Sequence, residues 1–175
     1  MLPVRPADLL RRRERQLDTE PVADLIEGMR VFVTGGGGTI GSELARQCAG
    51  MNPHSLTLFD SSEYNLYEAD LSLREQFPNL PINSELGDVR DSARVERAIE
   101  QFEPDIIIHA AALKHVPLME QNVCEAILTN VGGALITAKA AQSSNVQKFV
   151  FVSTDKAVHP DNVMGATKRL AELTV

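Results

Sequence analysis

Four consecutive residues, Ser153-Thr154-Asp155-Lys156, bring two hydroxyls, an acid and an amine together at the end of the apolar run 148–153. An acid beside an amine can divide a proton-transfer reaction between them, one giving and one taking. Met164 and Lys168 follow at helical spacing, four residues apart and therefore on one helix face. A second cluster, Thr34-Gly35-Gly36-Gly37-Gly38-Thr39-Ile40-Gly41, satisfies both G-x-G-x-x-G and T-G-x-x-G-x-x-G. Glycines in this register let a chain turn from strand to helix and bring its N–H groups close to a pyrophosphate, whose charge the helix N-terminus favours. Asp60 ends the next apolar run, 19 positions after Gly41, where a nucleotide fold places the acid that accepts from ribose hydroxyls. Such a carboxylate opposes a 2′-phosphate, which points to NAD, while Ser61 and Ser62 leave NADP open.

The elements that must position these residues alternate between strand and helix patterns. Strands are predicted over 30–34, 55–60, 82–86, 106–110 and 148–153, and helices over 39–50, 62–77, 91–102 and 122–144. This order implies an α/β Rossmann-type doubly wound parallel sheet with helices on both faces, whose ligands lie beyond the carboxyl ends of the strands. Asp88 and Val89 follow the third strand and can meet an adenine, with Asp91 and Ser92 as the cap of the next helix. Ala110, Ala111 and Ala112 leave the fourth strand, small enough for a close backbone approach.

At 175 residues with 43% hydrophobic content the chain forms one core. Residues 1–28 read as a basic N-terminal arm, with Arg5, Arg11, Arg12, Arg13 and Arg15 and one short helix around 7–15, and residues 29–175 as the nucleotide-binding domain. The net charge of −7, with the basic residues gathered in that arm, argues against a nucleic-acid surface on the globular part. No run approaches the roughly 20 apolar residues of a membrane span, so a soluble chain is expected. Cys48 and Cys124 lie in helix-like apolar patterns and read as buried free thiols of a reducing cytoplasm, and no metal site is expected. The helical pattern of 162–175 reaches the chain end without further strands, as expected of a fold cut before a substrate-capping region.

The motifs Thr34 to Gly41, Gly87-Asp88-Val89-Arg90-Asp91, His109 to Glu120 and Ser153 to Lys168 together resemble the CapD-like nucleoside-diphosphate-sugar dehydratases, extended short-chain dehydrogenases/reductases that make bacterial surface polysaccharide precursors. The resemblance implies NAD-dependent 4,6-dehydration of UDP-N-acetylglucosamine by a homo-oligomer. Ser153 or Thr154 would bond the sugar 4-hydroxyl, Lys156 would be the base and Asp155 the acid. The lysine pKa would need lowering and the aspartate pKa raising. Lys168 would orient the nicotinamide ribose. Gly35, Gly38, Thr39, Ile40, Gly41, Asp60, Ser61, Asp88, Val89, Ala110, Ala111, Ala112, Lys114, Asn130 and Lys168 would line the cofactor site. The superfamily motif Y-x-x-x-K stands here as Met164-x-x-x-Lys168, without the tyrosine base, as in the membrane-associated branch of the dehydratases. A longer form at the cytoplasmic face of the inner membrane is thereby implied. An NDP-sugar 4-epimerase and a non-catalytic NAD-binding module are the competing readings.

Overall fold

A computed structural model of the chain describes residues 20–175. Its centre is a five-stranded parallel sheet in the order β3-β2-β1-β4-β5, built from β1 (Arg30–Thr34), β2 (Ser55–Asp60), β3 (Ile82–Leu86), β4 (Ile106–His109) and β5 (Lys148–Phe151). Side chains alternate across the sheet with period two. Val31, Val33, Leu56, Leu58, Ile106 and Ile108 face one side and pack against Ala45 and Cys48 of α2 (Thr39–Ala49) and Leu66, Ala69 and Leu73 of α3 (Glu63–Gln76). Phe32, Phe59 and Ile107 face the other, against Val95, Ala98 and Ile99 of α4 (Ser92–Phe102) and Ala140 and Ala141 of α6 (Val123–Gln142). The sheet is thus covered on both faces, which is why its central strands read as near-continuous apolar runs.

The order reverses between β1 and β4, where Thr34 pairs with His109. Chains leaving neighbouring strands here turn to opposite faces and open a crevice above the strand ends. All five predicted strands form, although β4 stops at His109 and β5 at Phe151 because the chain leaves for the crevice. Ser62 and Asp91 prove to be N-caps, their side chains accepting from Asn65 N–H and Arg94 N–H, so α3 and α4 each begin one residue later than the periodicity suggests.

Three features depart from the sequence reading. Within the stretch read as an arm, α1 (Glu20–Ile26) is helical and buries Ile26 in the core, whereas the helix expected around 7–15 lies outside the described residues. A short α5 (Val116–Gln121) follows β4, with Pro117 in its first turn. In α6, residues Ile127–Gly133 are wound as a π-helix. This helix has the length and apolarity of a membrane span; its face with Asn130, Ala134, Thr137, Ala140 and Ala141 is buried in the domain, while Val123, Ile127 and Leu128 are exposed. Cys48 is buried as expected, and burial pushes its thiol up to about 11; Cys124 instead lies exposed near the start of α6.

Candidate active site

A cleft of about 650 Å³ runs along the carboxyl ends of the strands. Its floor is set where β1 and β4 diverge. Gly35 has φ +65°, and a Cβ there would stand 2.7 Å from the backbone N of Ala111. A Cβ on Gly41 would stand 2.0 Å from the Gly35 carbonyl oxygen. Only glycine permits this double approach of loop, helix and β4 exit. Below it, Thr34 and His109 are fully buried, with Thr34 Oγ1 2.9 Å from His109 Nδ1. The same oxygen accepts from Ala111 N–H at 3.4 Å. Burial drives the His109 pKa down to about 3, with repulsion from Lys168 as the smaller cause, and the ring is neutral.

Most N–H groups of the glycine loop are already engaged: Gly36 donates to Phe59 O, Gly38 to Gly35 O and Gly37 to Asp60 Oδ2 at 3.0 Å. The N-cap Gly38 brings no side-chain acceptor to the first turn of α2, where Thr39, Ile40 and Gly41 line the cleft. This turn is where the loop can receive a phosphate. Asp60 and Ser61 line the adjoining wall. Asp60 has a duty that spacing alone could not reveal, since its other oxygen accepts from Ser62 N–H at 2.9 Å. It pins the glycine loop to β2 while keeping lone pairs for a ribose.

Asp88, Ala110, Ala111, Ala112 and Lys114 also line the cleft, as does Val89, whose side chain is buried in the core. The Asp88 carboxylate is held by Arg90, accepting its N–H at 2.9 Å and its guanidinium at 2.8 Å, and Arg90 reaches Glu125 of α6 at 2.7 Å. Arg90 also holds the Asp88 pKa below the usual carboxylate range. Asn130 is the correction on this side. It is absent from the cleft lining and 1% exposed, accepting from Leu113 N–H (2.8 Å) and donating to Leu113 O and Thr167 Oγ1 (both 3.0 Å). Both its amide protons and its oxygen are engaged inside the domain, where it holds the cleft wall.

Opposite stands α7 (Val163–Glu172), capped by Asn162 and by Glu120, whose carboxylate accepts from Val163 N–H at 2.7 Å. On it Met164 and Lys168 are buried along the cleft. Lys168 Nζ donates to Val152 O at 2.7 Å and sits 4.3 Å over the Phe151 ring, and burial lowers its pKa to about 8. Ser153 lines the cleft but donates to Glu172 Oε1 at 2.5 Å, joining the end of β5 to α7. Thr154 and Lys156 line the cleft from a 3₁₀ turn (Asp155–Ala157). Asp155 does not. Its side chain is 87% exposed, accepting from Thr154 Oγ1 at 3.0 Å and lying 3.4 Å from Lys156 Nζ. Its pKa is lowered instead of raised, because the hydrogen bonds from Thr154 and Lys156 favour the charged form and outweigh a smaller opposing desolvation.

Sequence reasoning therefore brought together all but two of its site residues. It overlooked His109, Arg90, Glu120 and Glu172 as positioning groups. Arg90, His109 and Glu120 left a signal, lying within the motifs 87–91 and 109–120, whereas Glu172 lies outside every motif. Among the described residues, no three His, Cys, Asp or Glu side chains converge as metal ligands.

A doubly wound parallel sheet, a glycine loop entering α2 and a Lys on a helix after β5 define a dinucleotide-binding domain of the extended short-chain dehydrogenase/reductase type. The chain belongs to the polysaccharide biosynthesis protein family, which matches residues 31–175. It is 41% identical to a probable polysaccharide biosynthesis protein EpsC of Bacillus subtilis (strain 168), over 98% of this chain and 29% of that protein. It is 34% identical to the UDP-N-acetylglucosamine 4,6-dehydratase (inverting) of Campylobacter jejuni serotype O:23/36, over 82% of this chain and 42% of that one. It is also 37% identical to the UDP-glucose 4-epimerase of Rickettsia canadensis, over 81% and 41%. The structure of Pen from Bacillus thuringiensis superposes with a TM-score of 0.76 at 37% identity, covering 86% of this chain and 44% of that chain. The chain thus spans less than half the length of each of these relatives.

Proposed function

We propose that the protein containing this chain is an NAD-dependent 4,6-dehydratase of UDP-N-acetylglucosamine or a close UDP-sugar. The observation that carries this reading is the pair Asp155-Lys156 on a turn at the cleft, opposite a buried Met164 where an epimerase or reductase of this fold would need a proton-carrying side chain. The glycine cradle and the uncapped first turn of α2 fit a dinucleotide pyrophosphate, and Asp60 and Lys168 would hold its adenosine and nicotinamide riboses respectively. When bound there, NAD would supply the hydride acceptor for C4 of the sugar and, reduced, the hydride donor for C6.

The chain's own residues divide the remaining work. Ser153 or Thr154 meets the sugar 4-hydroxyl; each now donates its proton to a carboxylate, Glu172 and Asp155 respectively, and keeps a lone pair with which to accept. Once C4 is a ketone the C5 proton is acidified, and Lys156 removes it. Asp155 delivers a proton to the departing 6-hydroxyl, which leaves as water. The exposed carboxylate favours the charged form, so this role requires the sugar to cover it and exclude water. Met164 supplies shape alone.

The test is incubation of the full-length protein with UDP-N-acetylglucosamine and NAD, read by NMR for a 4-keto-6-deoxy product. A C4 epimer as sole product would replace this reading with the 4-epimerase one, which the Rickettsia relative favours. Because the chain spans less than half of its relatives, the 175 residues alone are expected to bind NAD but turn over sugar feebly. Comparing the two forms at equal NAD occupancy checks this.

A further inference from the structure

Lys168 is not free to swing in the cleft. Its Nζ is tied to Val152 O at 2.7 Å and centred 4.3 Å above the Phe151 ring, in a residue only 6% exposed. Phe151 in turn lies beside His109 across the β4–β5 pair, their rings 5.9 Å apart and within 15° of parallel. His109 continues the chain of contacts to Thr34 and, through Thr34, to Ala111 N–H at the glycine-loop crossing. A continuous column therefore joins the helix of the reaction side to the floor of the cofactor side.

We propose that Phe151 is a positioning residue for Lys168: its ring face and the Val152 carbonyl together seat the ammonium so that its remaining N–H donors meet the ribose hydroxyls of the dinucleotide. The proposal rests on the assignment of Lys168 to the nicotinamide ribose. An ammonium has three donors. Val152 takes one, the π-face holds the charge from below, and the others are left for the cleft. Desolvation works against the charge, and an aromatic face compensates by attracting a cation where a bulk-equivalent aliphatic side chain cannot. The titratable groups around the amine are His109 from β4, Glu172 one turn along α7 and Lys156 on the same cleft wall. Neutral His109 adds no second positive charge to the column, and Glu172 favours the protonated amine.

The experiment is titration of the full-length protein with NADH, followed by nucleotide fluorescence from neutral to alkaline pH. Affinity in the parent should fall as Lys168 loses its proton, near pH 8. Phe151→Leu should move that fall to lower pH by about half to one unit, while Phe151→Tyr should leave it in place. Pentafluorophenylalanine at position 151 keeps the shape and weakens the π-face, so it should shift the profile as leucine does even if Phe151→Leu folds poorly. A merely structural role would weaken binding equally at every pH. A profile unmoved in both the leucine and the fluorinated forms overturns the seat. If Lys168→Met binds NADH as the parent does, the assignment of Lys168 to the ribose falls, and the seat with it.

Discussion

The two walls of the cleft are held by different means. On the cofactor wall, backbone meets backbone: Gly35 touches Ala111, Gly36 and Gly38 are hydrogen-bonded, and Asp60 clamps Gly37 and Ser62. On the reaction wall, side chains do the positioning, with Lys168 seated on Phe151 and Val152 but Asp155 almost wholly exposed. A pyrophosphate looks the same in every turnover, so a rigid cradle suits it. On the proposed reading, a sugar reacting at C4, C5 and C6 in succession would need protons moved at different atoms, and exposed titratable groups can be tuned by what covers them.

The sharpest break of this contrast is chemical. In the full-length protein, Lys156→Ala should abolish exchange of the C5 proton with solvent deuterium and reduce dehydration by about 10²–10⁴-fold. Asp155→Asn should slow loss of the 6-hydroxyl within the same range while leaving C5 exchange running. Neither should alter NADH affinity by more than a few-fold, because neither belongs to the cradle. Parental C5 exchange in Lys156→Ala would transfer the base role to another group, with His115 the next to test.

The cofactor wall should fail differently. Gly41→Ala forces a Cβ to within 2.0 Å of the Gly35 carbonyl oxygen, a clash with backbone that cannot rotate away. The expected cost is about 3 kcal/mol, which lowers NADH affinity roughly a hundredfold if it falls on the binding-competent loop. Calorimetric titration alongside a thermal melt separates lost affinity from lost fold. Unchanged affinity would mean that the loop is not the rigid cradle its contacts describe.

Asn130 joins the two walls, and its removal should be felt in stability. Asn130→Ala leaves the Leu113 N–H and C=O without the partners they now have inside the domain. Each group left unsatisfied costs about 1–3 kcal/mol, so a loss of about 2–6 kcal/mol is expected by urea unfolding. Asn130→Asp keeps the acceptor but turns a buried carboxylate oxygen towards the Leu113 carbonyl, and it should cost at least as much. A loss of NADH affinity without any loss of stability would restore the direct cofactor contact that the sequence suggested.

How far such roles can be read in advance depends on whether they are local. The apolar run of β1, the glycine register and the cap at Asp91 follow from neighbours in the chain, and the structure has them all, whereas Ser62, read as the first helical residue, is the cap of α3. Asn130 was recognisable as a residue of interest, yet its partners Leu113 and Thr167 stand 17 and 37 positions away. The environments of Asp155 and Lys168 were likewise invisible, because burial is a property of the packed fold. The π-winding of α6 has no periodic signature of its own; an inserted residue in a helix shows only when its side chains find their partners.

His109 offers a pH test of the floor beneath both walls. Its folded pKa, near 3, lies far below the ordinary histidine value of 6.5. Between those values the unfolded chain binds a proton that the folded one refuses, so stability is full above pH ~6.5 and falls on acidification by about 1.4 kcal/mol per pH unit. The loss should be visible in urea midpoints measured between neutral and mildly acid pH. His109→Gln should flatten the slope even if it lowers stability overall, and an equal slope in the variant would assign the acid sensitivity to other groups.

The smallest effect is expected at Met164, where the superfamily's tyrosine would stand. Met164 is 5% exposed and packs with Met119 and Ala126, flanked by Leu113, Val116 and Val163. A thioether in that setting carries no exchangeable proton, so it can contribute only volume and contact. Met164→Leu conserves both closely and should cost less than about 1.5 kcal/mol, with turnover of UDP-N-acetylglucosamine within a few-fold of the parent. Met164→Tyr sharpens the comparison, since it adds a hydroxyl that the pocket must satisfy and offers the cleft an acid it now lacks. If Met164→Leu abolished product while C5 exchange continued, the sulfur itself would be needed after proton removal, and the reaction wall would depend on a contact that charge and hydrogen bonding do not reveal.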